Sequence, residues 1–428
     1  MFDLLVKGGT LPDGTVADIG ISGDRIVAVG RLEAQVGRVI DATGDLVSAP
    51  FVDPHFHMDA VLSYGTPRIN ASGTLLEGIS LWGELRAVAA VDEMVTRAVS
   101  YCDWAASMGL LAIRTHVDTS PDHLRGVEAM LEVKRQVAGY IDLQLVAFPQ
   151  DGLYRSATGR ANVIRALDMG VDVVGGIPHF ERTMEEGAAS VRDMARLAAE
   201  RGLLLDLHCD ETDDPMSRHV ETLAAEVTRH GLGDRAAGSH LTSMHSMDNY
   251  YVSKLLPLIA ESGMCVIPNP LINITLQGRH DTFPKRRGLT RVKEMQALGI
   301  PVGWGQDCVL DPWYSLGTAD MLDVAFMGLH VAQMTHPAEM ARCFAMVTEV
   351  NARIMGLKGY GLKVGDMASL VVLDAGGPVE ALRLRPDRLA VVSKGRMIVE
   401  RARNDARLDI PGRPATVRRR HVAGTPPV

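Results

Sequence analysis

The 428-residue chain lacks several things, and each lack excludes a class of protein. It lacks paired cysteines: Cys102, Cys209, Cys265, Cys308 and Cys343 are scattered, with no Cys-x-x-Cys spacing among them. That odd, dispersed set excludes a disulfide framework and leads us to expect reduced thiols and a cytoplasmic setting. It lacks a basic excess, since 44 Lys and Arg face 52 Asp and Glu for a formal net charge of −8. With no positive face to hold a phosphate backbone, a nucleic acid polymer is excluded as a partner, although a free base is not. Long apolar runs are absent too: each is broken by charge before the roughly 18 residues that a membrane span needs. Met1–Gly9 reads as a short amphipathic strand, so no export signal is expected. No Gly-x-Gly-x-x-Gly turn follows the first strand, which tells against an open, doubly wound sheet.

What is present is a theme repeated eight times. Short apolar, β-branched runs end in polar residues and are followed by alanine- and leucine-rich stretches. The runs are Leu46–Asp53, Leu110–Asp118, Leu143–Gln150, Val171–Phe180, Leu203–Glu211, Ala236–Ser246, Met264–Asn273 and Pro301–Pro312. Between them, segments such as Val91–Met108, Pro121–Val137 and Met216–His230 carry apolar residues every three or four positions, the period of an amphipathic helix. Nearly continuous hydrophobic strands alternating with helices imply parallel strands covered on both faces. Eight such units predict an α/β fold, a (β/α)8 TIM barrel. The two ends read differently, as short alternating strands with Gly-containing turns, among them Leu370–Leu373, Leu389–Ser393 and Met397–Glu400. Neither end can bury a core alone, so the two are expected to pair into a small β-sandwich. The expected division is residues 1–48 and 363–428 for that domain, with the barrel at 49–362. The arginine-rich tail from Arg403, ending Thr425-Pro426-Pro427-Val428, is expected to be solvated, weakly ordered or in contact with another subunit.

The polar ends of the strands carry the chemistry. The first reads Asp53-Pro54-His55-Phe56-His57, and residues i and i+2 of a strand share a face, so both imidazoles enter the barrel at its carboxyl end. Two converging histidines serve either as hydrogen-bonded core or as the start of a divalent-metal site, and the strand-end position favours the metal. His208, in Asp206-Leu207-His208-Cys209-Asp210-Glu211, falls where a third ligand is needed. Glu211 either caps the next helix or carries protons for a metal-activated water. Asp307 offers a hard oxygen ligand that can also accept a proton, and His240 can polarise the attacked atom or help deprotonate water. These residues close strands one, five, six and eight at the face where barrel enzymes build their sites. His116 either lines the mouth or packs, His179 and His245 either support the site or pack, and Cys209 faces away as a small hydrophobe.

In this order the residues resemble the amidohydrolase superfamily, and within it the bacterial cytosine deaminase family, over residues 45 to 365. The resemblance is carried by Pro54-His55-Phe56-His57-Met58-Asp59, Ser72-Gly73-Thr74-Leu75, Val146-Ala147-Phe148-Pro149-Gln150 and His208-Cys209-Asp210-Glu211. It continues in Ser239-His240-Leu241-Thr242-Ser243-Met244-His245-Ser246, Leu276-Gln277-Gly278-Arg279, Pro284-Lys285-Arg286-Arg287-Gly288 and Asp311-Pro312-Trp313-Tyr314. It implies His55, His57, His208 and Asp307 as ligands of an Fe(II) or Zn(II) ion, Glu211 as proton shuttle and His240 as its electrostatic partner. It further implies Gln150 as the reader of the ring amide, Leu75 as a source of backbone contacts, Phe148 and Trp313 as walls of the ring, and a homo-oligomer. Binuclear relatives bridge two metals with a carboxylated lysine from a middle strand. Here no lysine occurs between Lys134 and Lys254, so one metal per subunit is expected.

The chain departs from that family beside Asp307, where His-Asp-Asp becomes Gln306-Asp307-Cys308. The second aspartate resembles a pocket residue near the substituted edge of the pyrimidine. A thiol there adds volume and removes a polar demand, and a buried methyl group is worth on the order of 1 kcal/mol. The expected reaction is hydrolysis of cytosine or a C5-substituted cytosine, such as 5-methylcytosine or 5-fluorocytosine, to the uracil analogue and ammonia by a metal-activated hydroxide. The alternative is an aminohydrolase of isocytosine, isoguanine, a creatinine-like ring or an s-triazine.

Overall fold

Short alternating strands come first along the chain. The computed structural model describes residues 2–33 and 36–418. It opens with β1 (Phe2–Thr10), β2 (Val16–Ser22), β3 (Arg25–Gly30), β4 (Val36–Asp41) and β5 (Leu46–Ser48). β2 runs antiparallel to β1 and β3, while β4 and β5 lie parallel to β1.

Seven parallel strands follow: β6 (Phe51–Phe56), β7 (Leu110–Asp118), β8 (Asp142–Phe148), β9 (Val173–Gly176), β10 (Leu204–Cys209), β11 (Ala236–His240) and β12 (Cys265–Ile267). Each pairs with the next in chain order. β6 and β7 are buried at every residue, as strands covered on both faces must be. The cover is α1 (Leu75–Val88) and α2 (Val91–Ser107) after β6. One helix follows each of the next five strands: α3 (Arg125–Val137), α4 (Gly159–Asp168), α5 (Met184–Arg201), α6 (His219–His230) and α7 (Asn249–Ser262).

Two expected strands take a different form. The run Leu46–Asp53 divides into β5, in the terminal sheet, and β6, in the barrel, because Pro50 between them has no amide hydrogen to continue a ladder. The run Pro301–Pro312 closes the ring by isolated parallel bridges, Val302 to Val266 and Asp307 to Phe56, rather than by a regular strand. Gly303 and Gly305 explain why: a Cβ at either would lie 1.9 Å from Asn351 Oδ1 or 2.2 Å from Asn269 Oδ1. The segment still bonds to both neighbours, Gly303 N to Val266 O at 3.0 Å and Asp307 N to His55 O at 2.8 Å.

The chain returns to the first sheet through β13 (Leu370–Leu373), β14 (Arg388–Ser393) and β15 (Arg396–Glu400), with β13 antiparallel to β5. The two ends thus join as one eight-stranded sheet, with a core of its own that includes Val6, Ile19, Ile21, Leu370 and Val392. The tail is exposed over most of residues 403–417, yet it is anchored. Arg403 bonds to Asp45 and Asp374, and Arg418 bonds to Asp374. Thr425-Pro426-Pro427-Val428 lies outside the described residues. Among the described residues no helix is long and apolar enough to cross a membrane, and all five cysteines are buried free thiols.

Candidate active site

Parallel strands present their carboxyl ends on one rim, and the predicted residues meet there. β6 alternates so that His55 and His57 turn inward, while Phe56 between them stacks on Tyr101 with ring centroids 4.5 Å apart. His57 Nε2 lies 3.1 Å from His208 Nε2 and 3.2 Å from Asp307 Oδ1, and His55 Nε2 lies 3.5 Å from the same Asp307 oxygen. All four side chains are buried.

Strand alternation alone does not deliver the other two. Asp206 and His208 face inward on β10, so Asp210 is next in line, yet its backbone adopts φ 52° and Glu211 turns in instead. The Asp210 carboxylate then accepts from Ser217 Oγ, the backbone N–H groups of His219 and Val220, and His219 Nδ1, all within 3.1 Å. On β11 the same device appears: His240, at φ 71°, enters the barrel directly after Ser239. Asp307 sits at φ 72°. Left-handed backbone at three non-glycine residues carries strain, and such strain collects at functional sites.

His240 Nδ1 lies 3.5 Å from Glu211 Oε1, and its Nε2 lies 3.8 Å from Asp307 Oδ2. Asn269 donates its backbone N–H to Asn273 Oδ1 at 3.0 Å, which leaves Asn273 Nδ2 to donate to His240 Nδ1 at 2.9 Å. The imidazole therefore carries its hydrogen on Nε2, facing Asp307. Burial holds His240 well below the usual histidine range and so keeps it neutral. Burial first, and then the charge of Asp307, push Glu211 well above the usual carboxylate range. Burial opposes ionisation of Asp307 as well, but the neighbouring His55 and His240 outweigh it and hold that carboxyl far down. Two carboxyls one rim apart are thus driven in opposite directions, the pattern of an acid and a base.

Among the described residues, two overlapping groups could hold a metal ion: His55, His57, His116 and His208, and His55, His208, His240 and Asp307. The donor set fits a divalent cation. His55 Nε2 is buried without a hydrogen-bond partner, and two imidazole nitrogens face each other at 3.1 Å. Burial and the surrounding histidines keep His208 neutral, with a lone pair to offer. Lys134 lies on α3 and bonds to Asp172 at 2.6 Å and 2.7 Å, outside this cluster.

Above the imidazoles a cavity of about 330 Å3, its open mouth included, is lined by His57, Leu75, Gln150, Ile177, His208, Glu211, Ile272, Leu276, Asp307, Cys308 and Trp313. Leu75 is the first residue of α1, whose N-cap is Thr74, so its N–H is one that the helix itself leaves unbonded. Trp313 packs against α1 at Gly78, where a Cβ would lie 2.2 Å from the indole. The Gln150 amide has no protein hydrogen-bond partner among the described residues. The Cys308 thiol is pushed up first by burial and then by Asp311, so this wall of the cavity is uncharged.

These contacts change the expectation for Phe148, choose between the two for His116 and place Gln306, for which the sequence predicts no surroundings. Phe148 does not line the cavity; it stacks on His208 at 4.2 Å and walls the imidazoles from one layer deeper. His116 lies below the mouth, fully buried, 4.2 Å from the His55 ring, with burial and then His55 lowering it to about 3. Gln306 turns away from the cavity and accepts from the Tyr101 hydroxyl at 3.3 Å. His179 holds the site from outside by donating from Nδ1 to the His208 carbonyl at 3.1 Å, whereas half-buried His245 accepts from Arg287 N. Asp210, Asn269 and Asn273 also belong to the site, and the sequence pattern does not mark them. The Asn269-Pro270 start of a short helix was the one available signal for the asparagines.

Comparison with known proteins agrees with this geometry. The amidohydrolase family model matches residues 38–400. The solved structure of 5-methylcytosine deaminase from Klebsiella pneumoniae, liganded with 5-fluorocytosine, is 40% identical with a TM-score of 0.92, and the match covers 94% of this chain and 99% of that one. N-isopropylammelide isopropyl amidohydrolase of Pseudomonas sp. strain ADP is 29% identical over 93% of this chain and 98% of its own length. Pterin deaminase of Rhizobium rhizogenes is 29% identical over 92% of this chain and 87% of its own. The chain belongs to the amidohydrolase family, as a metal-dependent aminohydrolase that deaminates a heterocycle by hydrolysis.

Proposed function

We propose that the substrate is a cytosine carrying a small C5 substituent, with 5-methylcytosine the preferred one, and that the products are the corresponding uracil and ammonia. The observation that carries this reading is Cys308. It lines the cavity beside Asp307, buried and uncharged, among the apolar walls Leu75, Ile272, Leu276 and Trp313. An apolar C5 group gains on the order of 1 kcal/mol per buried methyl against such a wall, whereas a carboxylate at the same place would have to be desolvated. The likeness to 5-methylcytosine deaminase supports the same choice.

His55, His57, His208 and Asp307 would hold one divalent ion, iron or zinc, which supplies Lewis-acid activation of water when bound. Gln150 presents an amide with both donor and acceptor to the ring, and the Leu75 N–H adds a backbone donor. Glu211, held protonated by burial, gives its proton to the ring nitrogen next to the amine-bearing carbon and so makes that carbon electrophilic. Asp307, held ionised, takes the proton of the attacking water, with neutral His240 orienting the transfer. Water oxygen bonds to the carbon, the proton taken by Asp307 passes through Glu211 to the amine, ammonia leaves, and the new hydroxyl gives its proton to Glu211 as the carbonyl forms, which restores both carboxyls.

The test is kcat/KM for 5-methylcytosine against cytosine, in the native enzyme and in Cys308→Asp. We expect the native enzyme to prefer 5-methylcytosine and the variant to lose at least tenfold of that preference. A strong native preference for cytosine, unchanged by the substitution, overturns the proposal. The 29% relatives named for N-isopropylammelide and a pterin motivate a second reading, another amino-substituted heterocycle, which release of ammonia, or of an alkylamine from an N-alkylated ring, across a panel of such rings would reveal.

A further inference from the structure

Below the imidazoles, a line of buried polar groups crosses four strands of the barrel. Arg114 on β7, 1% exposed, donates from Nη1 to Asp206 Oδ2 at 2.9 Å, from Nε to Gln144 Oε1 at 2.7 Å and from Nη2 to the Ile354 carbonyl at 2.9 Å. Asp206 on β10 accepts the Ser239 hydroxyl on Oδ1 at 2.7 Å. Ser239 Oγ on β11 lies 2.9 Å from His55 Nδ1 on β6. The register pairs Ser239 with His208, so the hydroxyl stands beside one imidazole while bonded to another.

The direction of each bond follows from the inventory of donors. A carboxylate only accepts, so the single hydroxyl hydrogen of Ser239 is engaged by Asp206. Toward His55 the serine oxygen is left to accept, and His55 Nδ1 must donate. The lone pair of the ring is therefore on Nε2, the atom that is buried without a partner and lies 3.5 Å from Asp307 Oδ1. The other tautomer would set two lone pairs against each other at 2.9 Å and point an N–H among the ligand atoms.

We propose that Ser239 and Asp206, backed by Arg114, are positioning residues that fix the tautomer of His55 and present its Nε2 to the divalent metal. This rests on His55 being a ligand, as the proposed function has it, but not on the identity of the substrate. Partners of this kind orient a ligand and raise its basicity, and losing one typically costs about 10–100-fold in metal affinity.

The test replaces Ser239 and reads metal binding rather than turnover. Zinc affinity is measured by competition with a chromophoric chelator, the visible spectrum is taken on the cobalt(II)-substituted protein, and the apoprotein's Tm is recorded. Ser239→Ala is expected to bind zinc at least tenfold more weakly and to alter the cobalt spectrum, in an apoprotein that still folds although its Tm falls by a few degrees through the lost buried hydrogen bonds. Ser239→Thr, which keeps the hydroxyl, is expected to stay within threefold of the native affinity. Native affinity and spectrum in Ser239→Ala overturn the proposal. So does a loss that tracks a lowered apoprotein Tm and is not restored by threonine. If Ser239→Ala does not fold, Ser239→Cys decides instead: its weaker acceptor must give reduced affinity, and native affinity overturns the proposal. His55→Ala is the control that separates the two ideas. If it keeps metal, the ligand assignment falls; if it loses metal while Ser239→Ala does not, only the tautomer inference falls.

Discussion

The protein buries ionisable groups in two places and treats them oppositely. At the junction of barrel and terminal sheet, Arg388 and Asp320 are both nearly inaccessible, yet every contact is made. The guanidinium bonds both Asp320 oxygens as well as the Met108 and Pro386 carbonyls, and Asp320 also caps the helix that begins at Met321. At the barrel rim and just below it, His55 Nε2, His208 Nδ1 and both nitrogens of His116 are buried without hydrogen-bond partners, and three neighbouring residues hold left-handed backbone. A satisfied buried pair is architecture. Unpartnered imidazole nitrogens in one buried cluster, beside strained backbone, are a place kept for something else.

Breaking the rim should abolish chemistry and spare the fold. Glu211→Gln keeps the side chain's size but removes the proton, and positioned acid–base groups are worth about 10²–10⁴ in rate. We expect kcat to fall by about that factor, with metal content and Tm retained; retained turnover would remove Glu211 from the mechanism. The sign of the pH dependence follows from the same group. The required form is the protonated acid, and burial together with Asp307 raises its titration well above the ordinary carboxylate range. Activity should therefore hold on the acid side of that raised value and fall as pH rises through it. A profile of kcat/KM against pH checks this, and its alkaline limb should be absent from the residual activity of Glu211→Gln.

Breaking the junction should do the reverse. Arg388→Met removes one partner and leaves Asp320 buried beside an apolar chain, a change that costs about 3–5 kcal/mol in comparable pairs. Denaturant unfolding should show a loss of that order, while zinc affinity and the activity of the folded enzyme stay at native levels. Equal loss of activity in the folded fraction would mean that the two regions are coupled and the contrast is false.

The contrast also explains what could be read from the sequence. Period and strand-end polarity announced the barrel and placed His55, His57 and His208, because alternation alone points them inward. Glu211, His240 and Asp307 were legible as residue types at strand ends, but their inward turn was not. It depends on Asp210, His240 and Asp307 adopting backbone that no local pattern demands, and on ties to α6 that form only in the folded chain. Asn269 and Asn273 were hidden for the same reason, since a short helix brings them onto His240 from another part of the chain. The closing strand departs from the expected regular form because Gly303 and Gly305 yield space to Asn351 and Asn269, contacts that a sequence does not display.

The smallest predicted effect sharpens the contrast within a single tripeptide. Gln306 and Cys308 both depart from the His-Asp-Asp pattern, one on each side of Asp307, but the backbone at Asp307 sends them to different surroundings. Cys308 lines the cavity, whereas the Gln306 side chain meets the Tyr101 hydroxyl behind β6, where Tyr101 stacks on Phe56. A residue that touches neither the cavity nor a proposed ligand can alter specificity only by moving the backbone, and Gln306 N is independently tied to Asp53 Oδ1 at 3.1 Å. Gln306→His should therefore keep the ratio of kcat/KM for 5-methylcytosine and cytosine within about twofold, because an imidazole can still take the tyrosine hydroxyl hydrogen. A tenfold change in that ratio would place the control of the C5 edge behind the strand and remove Cys308 as its sole determinant.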